Sequence, residues 1–575
     1  MDNLKDEIVA AYKQGNLLGC ISQKTRENRN EEDVLTQELI RLHNEREIDI
    51  IAVFKTFKNE PSSNSDFFLT RHLLQKILPK LDAPIGDVME CVSHLMQNMA
   101  AGTLLRPFTD FCSGSYLRPK EALALIHDVP EKYYDLLPQV IMAGARLETE
   151  LYLSEAIRLT KHDYIEIRRK AVISLGRIEN LGEQVLFEKA ISCLESSVEQ
   201  ETDDHLLGGL VDATFNLYIN SKIYNERLTN IIDKALSSNG DQTLHAGAVL
   251  FWLHLKELPD ALLDCLLLRL LSVKPENKGS LSDIDYGLAE LVEQGNWKAV
   301  DFLEKLLLAN QENLSLDTFD NVMRVIFKNQ NNIFNRLMTQ WFMKGDRVLC
   351  QGIAEITSLA HEGNIQLLVS SSDFDHSNAD NIIFLARKAI GYLSSKPVTA
   401  ASIIVSLTHY ATDDVKQILI SLIVDFLLIN YPGQVRAYLV QEAEIETGDV
   451  KAAIDSSIKI FDDYTESIKS LGYIPELQPP QSQREIYRRY FSNLMSQAMK
   501  DAQKDSVFLS LVSTSVLLYG RKSIDYVYNT DGQSSRMEIP LQSHSFEGEI
   551  PRLGIIDPFG SDYMLRVFRA ERIEQ

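Results

Sequence analysis

A small residue followed four positions later by a leucine recurs through the middle of this chain. The pairs are Ala171 and Leu175, Ala213 and Leu217, Ala246 and Leu250, and Gly287 and Leu291. The steps between them are 42, 33 and 41 residues. A four-residue offset places both members on one face of a helix. The small member lets a second helix come close there. A unit that returns every roughly 20–50 residues and cannot bury its apolar face alone must stack on its own copies. A fainter copy, Ala389 and Leu393, lies in "NIIFLARKAIGYL" (381–393).

The units read as helical hairpins. "ETELYLSEAIRLTKH" (148–162) is amphipathic through Leu151, Ala156, Ile157 and Leu159. After a polar turn, Ala171, Val172, Leu175 and Ile178 share a second helical face. Asp163 precedes that helix and Glu166 follows three residues on, the spacing of a capping box with Asp in the Ser or Thr place. Asp163 is therefore expected to accept first-turn amides, and Glu166 to reach back. The stretch 400–427 repeats the helix, turn, helix pattern, with Thr412 as the expected cap.

The segment "LSEAIRLTKHDYIEIRRKAVISLGRI" (153–178) resembles a HEAT-type repeat, and an armadillo-like superhelix is an equally good name. The resemblance implies that Asp163 is the turn acid, and that Arg168 (or Arg169) pairs with turn acids along the stack while the other arginine faces solvent. Ala171, Leu175 and Gly176 match the repeat signature. The copies at 203–217 and 241–253 lack the arginine. The resemblance covers roughly residues 135–440. The expected fold is mainly all-α: a HEAT/armadillo-like α-solenoid of antiparallel helical hairpins.

Three regions are expected. Residues 1–130 form an N-terminal helical region, either a cap or an extension of the solenoid. Residues 131–470 form the solenoid. "LGYIPELQPPQSQ" (471–483), with three prolines, reads as a boundary. Residues 484–575 form a small C-terminal α+β module. Within it, an Asp-Gly turn between two β-leaning runs (523–542) predicts a β-hairpin, and 557–573 predicts a closing helix.

The chain carries 58 Lys and Arg against 81 Asp and Glu, a net charge of −23. Such a charge repels phosphate backbones and anionic membrane surfaces. Residues 481–575 hold 12 basic and 12 acidic side chains, so the whole excess lies before them. The six cysteines are dispersed with no CxxC pair, which reads as a reduced, cytoplasmic protein. The start, "MDNLKDEIVA", has no signal-peptide pattern. The apolar runs 260–273 and 417–430 are each interrupted by charge and too short to span a bilayer. They read as buried helices.

Catalytic motifs are missing. There is no P-loop, no dinucleotide-binding glycine pattern, no HExxH and no GxSxG. The HEAT-like deoxyhypusine hydroxylases hold two irons through repeated His-Glu pairs, whereas this sequence has the single pair His361 and Glu362. HEAT-like DNA glycosylases use a basic groove, which the charge disfavours. Asp373, Asp375, His376 and Asp380 offer oxygen and nitrogen ligands to a cation, but read better as a solvated loop with Asp380 capping the next helix. His544, Asp557 and Asp562 lack a nucleophile, and Asp557-Pro558 reads as a helix start. Arg566, Arg569 and Arg572 form a basic stripe that either contacts an acidic partner, including the chain's own solenoid, or faces solvent at a helix C-terminus. Trp252, Trp297 and Trp341 are expected in the core.

The expectation is a non-enzymatic protein-interaction scaffold or adaptor. It has protein partners of unknown identity, no membrane contact, and no catalytic, metal or cofactor site. An enzyme or small-ligand site in the C-terminal module is the alternative. A nucleic-acid-binding solenoid is the third reading.

Overall fold

The computed structural model describes residues 2–27, 32–57, 64–99, 102–179, 181, 183–221, 223, 226–311, 313–360, 365–472, 474, 479–504, 522–528, 534–540, 549 and 551–573. Most of these residues are helical. The chain divides into two units: residues 1–314 with 318–322, and residues 315–317 with 323–575.

In the first unit the small residues show why the helices stack. A Cβ built on Gly176 would lie 2.4 Å from the carbonyl oxygen of Ala213 and 2.5 Å from its Cα. Only glycine admits so close a backbone at that point. The Ile165–Arg177 helix thus lies directly against the Asp204–Ser221 helix. Asp204–Ser221 packs in turn on Asp241–Leu253, and that helix on Lys278–Glu293. Ala171, Leu175, Ala213, Leu217 and Leu250 are buried along this row. At the third repeat the close-packed residue is Gly247, facing Leu236 and Leu270, while Ala246 is half-buried. A second row, Thr149–Leu159, Gln184–Gln200, Glu226–Leu236 and Asp260–Leu270, packs member on member and against the first. Leu262, Leu263, Leu266, Leu267 and Leu270 bury the apolar run expected to be an internal helix.

Helices on both sides of residue 130 belong to this packing. Leu137–Ala145 lies on Ile165–Arg177 and also on Leu105–Ser113 and Arg118–Asp128.

The second unit contains the helices Asn335–Lys344, Arg347–Ser358, Ala379–Leu393, Pro397–Thr408, Asp413–Leu422, Gln434–Ile445 and Gly448–Ser470. Asp413–Leu422 runs on as a π-helical turn, Ile423–Leu428. A non-helical stretch, 365–370, passes between Asn335–Lys344 and Pro397–Thr408. The amides of residues 367–370 are satisfied by side chains, alternately to either side. Leu367 and Val369 donate to Ser402 Oγ and Ser406 Oγ, each at 3.0 Å. Leu368 and Ser370 donate to Asn335 Oδ1 and Thr339 Oγ1, each at 2.9 Å. Buried backbone needs such partners, and the Ser, Thr and Asn on the flanking helices supply them.

Strands Lys522–Tyr528 and Ser534–Pro540 pair antiparallel, with Asp525 opposite Met537. The closing helix, Pro558–Ala570, begins at the expected place. Asp557 is its N-cap, accepting from the Gly560 amide at 3.0 Å, with Pro558 following.

Candidate interaction surface

The most elaborated contact in the second unit is the docking of the chain's own tail. The Pro558–Ala570 helix lies on Ala379–Leu393. Phe568 is buried and meets Phe426 edge-on at 5.0 Å. It reaches that position because Gly391 has no side chain: a Cβ there would come within 3.2 Å of Phe568 Cβ. Lys388 sits in the middle of an apolar helix and is 0% exposed. Its ammonium donates to the carbonyl oxygens of Arg569 (2.7 Å) and Glu571 (2.8 Å). These carbonyls belong to the end of the tail helix, where acceptors lack partners of their own and the dipole favours a cation. Burial pulls the Lys388 pKa below its ordinary value. Arg387 pairs with the Glu571 carboxylate at 2.7 Å.

The segment before the helix is held as well. Glu549 accepts from the amides of Gly433 (2.8 Å) and Gln434 (3.0 Å), at the start of Gln434–Ile445. Asn430 accepts from Leu553 N through its side chain at 2.8 Å and from Arg552 N through its carbonyl at 3.2 Å.

The other face of the docked tail is apolar and open. Ile555, Ile556, Phe559, Tyr563 and Val567 are all exposed, Phe559 by 83%. Within Pro558–Ala570 the positions 559, 563 and 567 follow helical spacing, so one stripe faces away from the dock. The expected basic stripe takes a different form. Arg569 turns inward and donates to the Gly391 carbonyl at 2.6 Å. Arg572 donates to the carbonyls of Arg569 and Glu571. Arg566 stays exposed beside Asp562. The three arginines therefore form no continuous outward stripe: Arg569 is turned onto the Ala379–Leu393 helix, while Arg566 and Arg572 stay exposed.

The repeat residues are rearranged too. The Ile165–Arg177 helix begins after Tyr164, with no side-chain cap. The Asp163 side chain is exposed, and its backbone carbonyl receives Arg168 at 3.3 Å. Glu166 turns to Arg169 rather than back to the cap. Both arginines are engaged, so neither simply faces solvent. Arg168 donates to Glu201 at 3.1 Å, and Arg169 grips Asp203 through two nitrogens at 3.0 and 2.9 Å. Asp203 also caps its own helix by accepting from Leu206 N at 2.8 Å. The Arg169 guanidinium holds the Asp203 carboxyl below its usual range. The next residue, Asp204, reaches the following helix and accepts from Gln242 N (2.8 Å), Thr243 N (3.0 Å) and Thr243 Oγ1 (2.6 Å). Burial works to raise the Asp204 pKa, but these donors outweigh it and hold the group low. The doublet Asp203-Asp204, ahead of an apolar helix and 34 residues after Arg169, was the sequence signal for this relay.

Asp373 accepts from Arg336 (3.1 Å), Gln340 (2.6 Å) and Ser370 (2.5 Å). Asp375 accepts from Ser377. The helix after them starts at Ala379 and is capped by Asn378, not by Asp380. The His376 ring lies 5.2 Å from that of Tyr410. Among the described residues no group of three or more His, Cys, Asp or Glu is arranged to hold a metal ion. His361, Glu362 and His544 lie outside the described residues. Trp341 is fully buried and Trp297 half-buried. Trp252 departs from the expectation: it is 37% exposed and stacks on exposed Tyr286 at 5.1 Å. All six cysteines are free. No described helix is long and apolar enough to cross a membrane.

A cleft of about 470 Å³ in the first unit is lined by His43, Glu47, Asp49, Asp82 and Asp87. The His43 Nδ1 accepts from Ile50 N at 3.2 Å, and burial pushes its pKa down. The lining includes no serine, threonine or cysteine that His43 could activate.

No family model matches the chain, and no curated protein matches it.

Proposed function

We propose that this chain is a HEAT/armadillo-like α-solenoid acting as a non-enzymatic interaction scaffold, with its C-terminal helix as the partner-binding element. The observation that carries this reading is the two-sidedness of Pro558–Ala570. Phe568, Arg569 and the terminal carbonyls fix one face to the chain, while Phe559, Tyr563 and Val567 are exposed on the other. A helix held in place has already lost the freedom that binding would otherwise cost. Anchors at this spacing suit a hydrophobic groove on a partner protein. The acidic stack would serve as the mount. In the repeat region, the Arg169–Asp203–Asp204 relay and the Gly176–Ala213 contact support a HEAT-like reading.

The test is co-purification of the tagged full-length protein from its native host, beside the double variant Phe559→Asp/Tyr563→Asp. The expected result is a stoichiometric protein partner that rebinds in purified form and is lost with the double variant but kept with Arg566→Ala. A partner held equally by the double variant would overturn the assignment to this helix. Bound nucleic acid or a small molecule in place of protein would overturn the scaffold reading.

A further inference from the structure

A second surface, independent of the tail helix, is the sheet formed by Lys522–Tyr528 and Ser534–Pro540. Among the described residues no third strand joins it. Its register pairs Ile524 with Glu538 and Asp525 with Met537. Successive residues of a strand point to opposite faces, so Ile524, Arg536 and Glu538 mark one face and Met537 the other. Ile524 is 43% exposed and Met537 47%, and Lys522, Arg536 and Glu538 are exposed as well. Both faces are open at these positions. Two strands alone are marginally stable in water; a further strand or a packed layer is needed. The outer edges also leave rows of backbone N–H and C=O groups without a strand partner, a template for another strand.

The two edges differ in what they can accept. Ser534–Pro540 is centred on Met537, with Arg536 before it and Glu538 after it. Laid antiparallel on a second copy of itself, about a two-fold axis at Met537, the strand sets each Arg536 directly opposite the other's Glu538. Directly opposite residues share a face with Cβ atoms about 4.5–5.5 Å apart, and opposite charges there stabilise the pairing. Sliding the axis to Arg536 or to Glu538 sets like charges opposite each other and shortens the overlap. The other edge has no such solution: full overlap of two Lys522–Tyr528 strands is centred on Asp525, which then faces itself. Within one chain Glu538 takes Lys522 at 2.7 Å and also Arg536. Across the axis each Glu538 gains a second arginine, and each Arg536 a second carboxylate.

We propose that the outer edge of Ser534–Pro540 pairs with the same edge of a second copy of this chain, making one sheet with two strands from each copy. The contact uses the same patch on both copies, so it closes at a dimer. Main-chain hydrogen bonds supply the affinity, and the crossing of Arg536 with Glu538 fixes the register.

The test is the mass of the full-length protein in solution by light scattering across a range of concentrations. A dimer is expected at the upper end. Arg536→Glu and Glu538→Arg each set like charges across the axis, and each should weaken self-association about tenfold. Mixing these two proteins should restore a dimer of unlike chains. The double variant Arg536→Glu/Glu538→Arg should restore a dimer with itself. Lys522→Ala, which removes only a partner within the chain, should leave the dimer intact. Met537→Cys should cross-link to its own copy under mild oxidation, whereas Ile524→Cys, on the other strand, should not. A wild-type monomer at every concentration would overturn the proposal. So would a dimer that both charge reversals leave unchanged, or one that cross-links through Ile524→Cys in place of Met537→Cys. Failure of both the mixture and the double variant to restore the dimer would equally overturn it.

Discussion

Lys388 and Arg569 hold each other through backbone groups. The Lys388 ammonium donates to the Arg569 carbonyl at 2.7 Å, and the Arg569 guanidinium donates to the carbonyl of Gly391, three residues past Lys388. Neither cation is neutralised by the other's neighbourhood in the usual way; each closes the open acceptors of a helix end or flank. Lys388→Met keeps the length and removes the donor. Two carbonyls at the tail's terminus then lose a charged partner, at a cost of about 2–3 kcal/mol. The expected outcome is faster proteolysis and faster amide exchange across 551–573, with the rows of the first unit unchanged. Equal protection in Lys388→Met and wild type would show that Phe568, Arg569 and the other tail contacts hold it without Lys388.

Gly176 faces the backbone of Ala213, not a movable side chain. A methyl group at 176 must push two helices apart, which overpacked cores resist at about 1–3 kcal/mol. Gly176→Ala is expected to lower the denaturation midpoint despite its better helix propensity. Gly279→Ala is the control, since a Cβ there meets nothing within 4 Å. That variant should be neutral or slightly stabilising.

The Arg169–Asp203 pair is bidentate but partly exposed, so a double-mutant cycle should give a coupling of about 1 kcal/mol. The pairing lowers the native pKa of Asp203. A group whose folded pKa is depressed contributes stability that is fully present above its unfolded value and is lost as pH falls through the folded value. The destabilisation caused by Arg169→Met should therefore persist from neutral pH down to the ordinary aspartate range. It should shrink below that range, as Asp203 takes up its proton. Chemical denaturation of both proteins at stepped pH measures this directly. A difference that stays constant to the lowest pH would assign the effect of Arg169 to packing.

Much of the helical character was legible because small-Leu pairs and amphipathic faces depend on local spacing. Ala171 and Leu175 are buried, and Gly176 lies where one helix meets the next. The polar contacts were less legible. Asp163 has the sequence context of a cap, yet the chain enters the helix one residue later and leaves its carboxylate exposed. The acids that link successive helices are Asp203 and Asp204, whose partners lie 34 residues before and 38–39 residues after them. Lys388 was hidden for the same reason. Within an apolar run it reads as an interruption, and its partners are backbone atoms more than 180 residues away. Trp252 was misplaced because helical spacing alone does not say which face of a stacked helix stays open.

The stretch 365–370 offers the sharpest test of how side chains can replace a missing strand partner. Ser402 and Ser406 lie one helical turn apart on Pro397–Thr408, and each takes one inward amide, from Leu367 and Val369. Both hydroxyls are buried, so removing either leaves a donor without water or protein to receive it. A buried unsatisfied amide costs about 1–3 kcal/mol. Ser406→Ala should therefore destabilise the second unit by that amount and speed exchange at the Val369 amide, while leaving Leu367 protected. Ser402→Ala should do the reverse. If both amides exchange faster in each single variant, the stretch opens as one segment, and the alternation of its partners matters for assembly more than for any single bond.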